Sequence, residues 1–336
     1  MKNSLSKKIS TARVICILSL IYVHFPPLYG EITDVNNFED YFIMLVSNLI
    51  GRSSVPLLSI VSGYLIVTSI SKYKYTRLLR NKMLTLLVPL VAWNFLSLTK
   101  DLMLGTSPLE DKNILNYLLS IYDTPGIMPL YFLRDIFVCV TLAFILLRLT
   151  SGVKSIITTF LLITLSIFDL NNYLFINDKI IIFFFLGMII AKNKNFYIES
   201  FESKLLFTTS LILLIISTNL LIIIKPENLP DELLTIISIT SRVFGAIIFW
   251  NIACFLTKKF NIGKYSSVIF FTFCSHTLII SFIWIIAKKL HIEPMTYSYV
   301  ALFVSSPILV FIISLMIYKP FLRIFPKAQV LLTGKR

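Results

Sequence analysis

The chain has 336 residues, of which 57% are hydrophobic and 14% charged, with a formal net charge of +14 and a mean hydropathy of +0.84. Soluble globular domains carry about 25% charged residues, so this composition excludes a soluble fold. Apolar blocks occupy most of the length and leave no room for a soluble catalytic domain, so any chemistry falls to helices and short loops.

A membrane span needs about 20 mostly apolar residues to cross roughly 30 Å of hydrocarbon. Spans are predicted at 12–29, 41–70, 83–100, 129–149, 154–169, 178–192, 204–224, 235–257, 266–287 and 298–318. The reading is an all-α, polytopic integral membrane protein of about ten transmembrane helices, forming a single transmembrane domain, 1–336, with no internal repeat. Lys2, Lys7 and Lys8 precede the first block as in a signal peptide. No small-residue cleavage site comes after Phe25-Pro26-Pro27, so this block is read as a retained helix. The second span holds Arg52, Pro56 and Ser62-Gly63-Tyr64. Proline kinks a helix and glycine lets neighbouring backbones approach, which suits either a cavity wall or ordinary packing. The loop 72–82 then carries Lys72, Lys74, Arg77, Arg80 and Lys82. It reads either as a polyanion site or as a topogenic signal. The loop 101–128 is the longest and bears Pro108, Pro125 and Gly126. The spans at 154–169 and 178–192 are the shortest. Cys16, Cys139, Cys254 and Cys274 lie inside predicted spans without metal or disulfide spacing, and read as small apolar residues.

Charge sets the expected orientation. With the N-terminus in the cytoplasm, 22 basic residues fall inside, against six outside (Lys100, Lys112, Lys179, Lys225, Lys288 and Lys289). Both termini are then cytoplasmic, and the net charge reflects topology, with no call on nucleic acid. Acidic residues fall the other way: Glu31, Asp34, Glu39 and Asp40 in the first outer loop, and Glu110, Asp111 and Asp123 in the second. A bacterial-type inner membrane is expected.

Within the spans the costly residues are His24, Arg52, Arg134, Asp135, Arg242 and His276. Ionisable groups at such depth cost several kcal/mol and usually face the bundle interior or a wet cavity. They either lock the bundle by pairing or line a site. Arg134 and Asp135 are neighbours about 100° apart on a helix and need not pair with each other. Arg13 and His24 are eleven residues apart, close to three turns, so both point the same way roughly 16 Å apart. An anion with a thin arm, such as coenzyme A, could rest its phosphates on Arg13 and reach His24. The alternative is a snorkelling arginine and a structural histidine.

With these residues in view, the chain resembles the family 3 membrane acyltransferases, which O-acylate bacterial surface glycans. The family opens with an Arg, ten residues and a His, here Arg13 to His24. Its second span carries a Val-Pro-Leu-Phe-Phe run ending in Ser-Gly-Phe or Ser-Gly-Tyr, here Val55-Pro56-Leu57-Leu58-Ser59 through Ser62-Gly63-Tyr64. A basic stretch, Arg77-Leu78-Leu79-Arg80-Asn81-Lys82, precedes Val88-Pro89. Leu130-Tyr131-Phe132-Leu133-Arg134-Asp135 matches a fourth-helix motif in which Tyr131 replaces the usual Trp. Ile262-Gly263-Lys264-Tyr265-Ser266 is succeeded by His276, as near the family's end. The likeness covers the whole length.

The resemblance implies transfer of an acyl group, acetyl by preference, from cytoplasmic acyl-coenzyme A to a glycan hydroxyl, with His24 as the catalytic centre. His24 would act as general base or carry the acyl group itself. Arg13, with Arg77 and Arg80, would hold the donor. Arg52 or Arg134 would stabilise the oxyanion, while Ser62, Tyr131, Asp135 and His276 complete the expected substrate site. No metal is expected. The expected partners are a glycan or lipid-linked oligosaccharide acceptor, the lipid bilayer and glycan-assembly machinery. No hydrolase-like domain is appended, so one transfer step is expected. A glycan exporter or lipid-linked sugar translocase would use buried charges equally well, but export alone does not require a histidine at this depth. A non-catalytic scaffold leaves the buried charges unexplained.

Overall fold

A computed structural model of the protein describes residues 2–26, 37–106, 109, 113–121, 125–168, 176, 178–193, 201–224, 229–324, 326 and 328–334. Among these, every regular element is helical, as expected of an all-α polytopic membrane protein. The acidic residues Glu31, Asp34, Glu110, Asp111 and Asp123 lie outside the described residues. Seven helices among the described residues are long and apolar enough to cross a membrane: Phe38–Ile70, Tyr75–Met103, Met128–Arg148, Lys204–Ile222, Asp231–Lys259, Ile262–Lys289 and Tyr297–Ile324. The remaining three predicted spans coincide with helices that fall short of that standard. One carries Lys7, Lys8 and Arg13, and the other two have 16 and 15 residues.

The chain folds into two compact units, Met1–Leu58 with Asn195–Ile317, and Ser59–Lys194 with Tyr318–Arg336. In the first unit, α1 (Lys2–His24) is central. It packs against a π-helical turn (Ser47–Arg52), α11 (Asp231–Lys259), a 3₁₀ turn (Ile262–Tyr265) and α12 (Ser266–Lys289). Its buried residues, among them Ile9, Thr11, Val14, Ile17, Ser19 and Leu20, are spread around the whole helix. That is the pattern of a helix enclosed on all sides. α10 (Lys204–Ile224) and α11 form a hairpin in which Ser241 donates to Ser217 at 2.9 Å. α13 (Tyr297–Ile324) adds Tyr299, Phe303 and Val310 to the buried cluster that includes Ile21 and Ile280. α2 (Phe38–Val46) is capped by Asn37, whose side chain accepts from the Asp40 amide at 2.8 Å. Near the start of α1, Lys8 pairs with Glu202 at 2.5 Å.

The expected kink at Pro56 takes the form of the π-helical turn just before it. Proline has no N–H and its ring crowds the carbonyl four residues back. For Pro56, in α3 (Ser53–Ile70), that carbonyl belongs to Arg52, the last residue of the turn. The arrangement repeats in the second unit. There α4 (Tyr75–Lys82) leads into a π-helical turn (Met83–Leu87), and Pro89 sits at the start of α5 (Val88–Met103), four residues after Thr85. Both turns widen where a proline withholds a helical donor.

The second unit is built around α9 (Asp178–Lys192), against which α7 (Tyr131–Arg148) and α8 (Gly152–Ile167) pack. Ile180 through Phe185 are all buried, as in a core helix. α3 crosses α9 at a reciprocal pair of glycines. A Cβ on Gly63 would collide with the Phe184 carbonyl, and one on Gly187 with the Ile60 carbonyl. The predicted long loop contains a helix, α6 (Ile114–Leu119), tied back to α5. Asn94 donates to the Leu118 carbonyl at 2.9 Å and accepts from the Ile127 amide at 2.8 Å. The Tyr117 hydroxyl donates to Asp101 at 2.8 Å, and burial pushes that hydroxyl up to about 12. The last helix, α14 (Ala328–Thr333), docks where Trp93 donates to the Leu332 carbonyl at 3.1 Å.

Arg134 and Asp135 do pair, at 2.6 Å through Nη2. Neighbouring positions on a helix diverge by about 100°, but the long arginine side chain closes the gap, and its Nε also donates to the same carboxylate oxygen at 2.7 Å. Nη1 meanwhile holds the carbonyl and hydroxyl of Ser120, which ends α6 with a φ of 57°. Asp135 is 0% exposed, so the pair braces α6 against α7.

These contacts set two expectations for stability. Gly63→Ala or Gly187→Ala drives a methyl into facing backbone and lowers stability by about 1–3 kcal/mol, read as an earlier thermal transition of detergent-purified protein. Asp135→Ala takes the carboxylate partner from a half-buried guanidinium and costs about 3–5 kcal/mol, and adding Arg134→Met recovers part of that loss. Equal melting of the single and double variants would show that the pair does not brace the fold.

Candidate functional site

The site begins with α1, because one unbroken helix carries both Arg13 and His24. Their spacing of three turns is therefore realised in the backbone, about 16 Å along one axis. Arg13 is half-buried. Among the described residues its guanidinium makes no hydrogen bond or ion pair. A cation left that way inside a helix bundle invites an anionic ligand.

His24 is the last residue of α1 and is held by the residues on either side of it. Phe25 packs into a buried cluster with Ile21, Ile43, Ile280, Tyr299 and Phe303. Its ring meets Trp284 edge-on at 6.2 Å. The Tyr299 hydroxyl donates to the Pro26 carbonyl at 2.6 Å, and the Tyr22 hydroxyl to the Val304 carbonyl at 3.1 Å. Both bonds tie the end of α1 to α13, one before His24 and one after it.

Two further predicted residues are brought to His24. The His276 ring, from α12, lies 5.2 Å from the His24 ring between centroids, tilted by 56°. Arg52 is exposed and lies within electrostatic reach of His24. It ends the π-helical turn, which is placed against α1 by Gly51: a Cβ there would lie 2.5 Å from Val23 Cγ2. The Ser47 hydroxyl adds a bond to the Tyr22 carbonyl at 3.3 Å. On the other side, α11 approaches Ser53 so closely that a Cβ on Gly245 would lie 2.8 Å from the Ser53 carbonyl. The widened turn thus brings a cation to the neighbourhood of the histidine pair, a use for which π-helical insertions are well suited.

The other predicted residues belong to the second unit. Ser62 is half-buried on α3, one residue before the glycine crossing. Arg77 and Arg80 are exposed on α4, with Arg77 over the Tyr73 ring at 5.5 Å. Tyr131 opens α7 and is half-buried. Arg134 and Asp135 are engaged with each other and with Ser120, which gives both a structural task. Arg242, in α11 of the first unit, is half-buried. All four cysteines are buried and none is in a disulfide among the described residues. Reading the sequence did not single out Phe25, Trp284 or Tyr299, whose contribution is to hold His24 and whose only signal was aromatic content. Nor did it identify Thr277, next to His276, whose buried hydroxyl lacks a hydrogen-bond partner among the described residues.

A histidine pair, a cation near it and, three turns away, an arginine unpaired among the described residues suit group transfer from an anionic donor. The sequence profile of the acyltransferase domain matches residues 7–319. The succinoglycan biosynthesis protein ExoH of Rhizobium meliloti (strain 1021) is 26% identical, over all of this chain and 94% of its own length. No solved structure matches the chain. The matched region takes in α1 with Arg13 and His24, the π-helical turn with Arg52 and α12 with His276, and the chain belongs to the family 3 membrane acyltransferases.

Proposed function

We propose that this acyltransferase moves an acetyl group from cytoplasmic acyl-coenzyme A to a hydroxyl of a cell-surface or lipid-linked glycan, in a bacterial inner membrane. The observation that carries the proposal is α1 itself, with a half-buried arginine unpaired among the described residues and a clamped histidine on one continuous helix. The relative's name, a succinoglycan biosynthesis protein, supports a glycan acceptor. The distance from Arg13 to His24 suits a donor with phosphates at one end and a thioester on a long thin arm. The family likeness adds Arg77 and Arg80, exposed on α4, as contacts of the donor phosphates. The acceptor is a glycan or lipid-linked oligosaccharide presented by glycan-assembly machinery at the bilayer.

In the reaction, a His24 nitrogen takes the acceptor hydroxyl proton as the sugar oxygen attacks the thioester carbonyl. The new C–O bond forms, the C–S bond breaks, and the leaving thiolate recovers the proton from the His24 imidazolium. Arg52, within electrostatic reach of His24, meets the charge that develops on the carbonyl oxygen.

With labelled acetyl-coenzyme A and a membrane glycan extract as acceptor, purified wild-type protein labels glycan. His24→Ala lowers the rate by about 10²–10⁴-fold while donor binding persists. Arg13→Ala raises the KM for acetyl-coenzyme A about tenfold, equivalent to about 1.4 kcal/mol, with kcat little changed. Folded wild type that neither binds the donor nor labels glycan, while its vesicles move glycan across the membrane, would replace this proposal with a translocase.

A further inference from the structure

His276 is 1% exposed and sits midway along α12. Its Nδ1 lies 2.6 Å from the Phe273 carbonyl. A carbonyl can only accept, so Nδ1 carries the hydrogen and Nε2 is left as a bare lone pair. That Nε2 is buried and has no hydrogen-bond partner among the described residues. A buried polar atom left so costs about 1–3 kcal/mol and calls for an explanation. The ring is further held by stacking on Phe273, 6.0 Å between centroids and 27° between planes. A histidine with one nitrogen tied and the other bare presents a fixed acceptor, and beside it stands the His24 ring.

Distance supports a direct link. An in-line N–H···N bond of about 3.0 Å between two imidazoles, each with a ring radius of about 1.1 Å, puts the centroids about 5 Å apart. The observed separation is 5.2 Å, so the two rings stand at the spacing such a bond requires. Catalytic hydrogen bonds often tighten only when substrate is bound. Exposure separates the roles, because His24 is half-buried whereas His276 is enclosed. His24 is therefore the ring that can meet a substrate.

We propose that His276 is the positioning partner of His24: its Nε2 accepts the hydrogen of one His24 ring nitrogen and leaves the other His24 nitrogen as the bare base that faces the acceptor hydroxyl. The proposal rests on the acyl-transfer reading for its chemistry. During transfer the hydroxyl proton moves to that free nitrogen, the His24 imidazolium keeps its second N–H on His276 Nε2, and the proton then passes to the departing thiolate. His276 itself gains and loses no proton.

The chain has three histidines, so ¹⁵N-histidine labelling of the full-length protein in lipid nanodiscs gives a readable spectrum. His276 is expected protonated at Nδ1 and bare at Nε2, with the Nε2 resonance moving in His24→Ala. In the transfer assay His276→Phe lowers kcat about 10²-fold with the KM for acetyl-coenzyme A unchanged. His276→Gln, whose amide oxygen can stand near the place of Nε2, stays within about tenfold of wild type. In a His24→Ala background His276→Phe costs less than about twofold, because the two residues act as one unit. A protonated Nε2, a resonance indifferent to His24→Ala, or an equal loss from His276→Phe in both backgrounds overturns the pairing. Failure of wild type to transfer acetyl at all defeats the acyl-transfer reading alone, and the spectrum still decides the histidine pair.

Discussion

Burial of α1 on every side is the constraint from which the rest of the site takes its meaning. A helix surrounded by other helices should be apolar throughout, and between Ile9 and Ile21 it largely is. Arg13 and His24 break that pattern, and each needs a partner that the helix itself cannot supply. Lys8 finds one in Glu202. Arg13 has none among the described residues, while His24 is met by the His276 ring and by the field of Arg52. A cation without a partner among the described residues, on a helix packed this closely, is open to an anionic ligand.

The way Arg52 reaches this helix shows how a local defect is put to use. Pro56 withholds a donor from the Arg52 carbonyl, and the chain answers by widening into a π-helical turn. Gly51 then lets the widened turn lie against Val23, and Gly245 lets α11 close behind it. The same proline device at Pro89 serves a different end in the second unit. There the backbone of Thr85, inside the widened turn, receives Gly334 of the C-terminal tail, where a Cβ would lie 2.6 Å from the Thr85 Cα. A proline thus marks where a transmembrane helix departs from regularity, and the neighbouring packing decides what the departure is for.

The second unit illustrates the complementary outcome for buried charge. Arg134 and Asp135 satisfy each other and Ser120, so their cost is offset locally and they brace α6 against α7. Charges that look alike in the sequence therefore divide into two classes. The Arg134–Asp135 pair is spent on holding the fold together, whereas Arg13, on the helix that carries His24, has no partner among the described residues.

Much of this was readable from the residues alone. Hydropathy determined the all-α membrane class, because hydrocarbon admits only spans whose backbone bonds close internally. The eleven-residue interval of Arg13 and His24 determined that they share a helix face, because helical periodicity is a local property. Gly63 signalled close approach, because a residue without a Cβ lets a neighbouring backbone come near. Tertiary structure alone decided that Arg134 turns back onto Asp135, that α6 lies within the supposed loop, and that Phe25 and Tyr299 clamp the end of α1. It alone brought His276 to within 5.2 Å of His24, across 252 positions of chain. Local pattern carries no information about which distant helix will face a given side chain; that is settled by how whole helices pack, and here the packing put two histidines side by side.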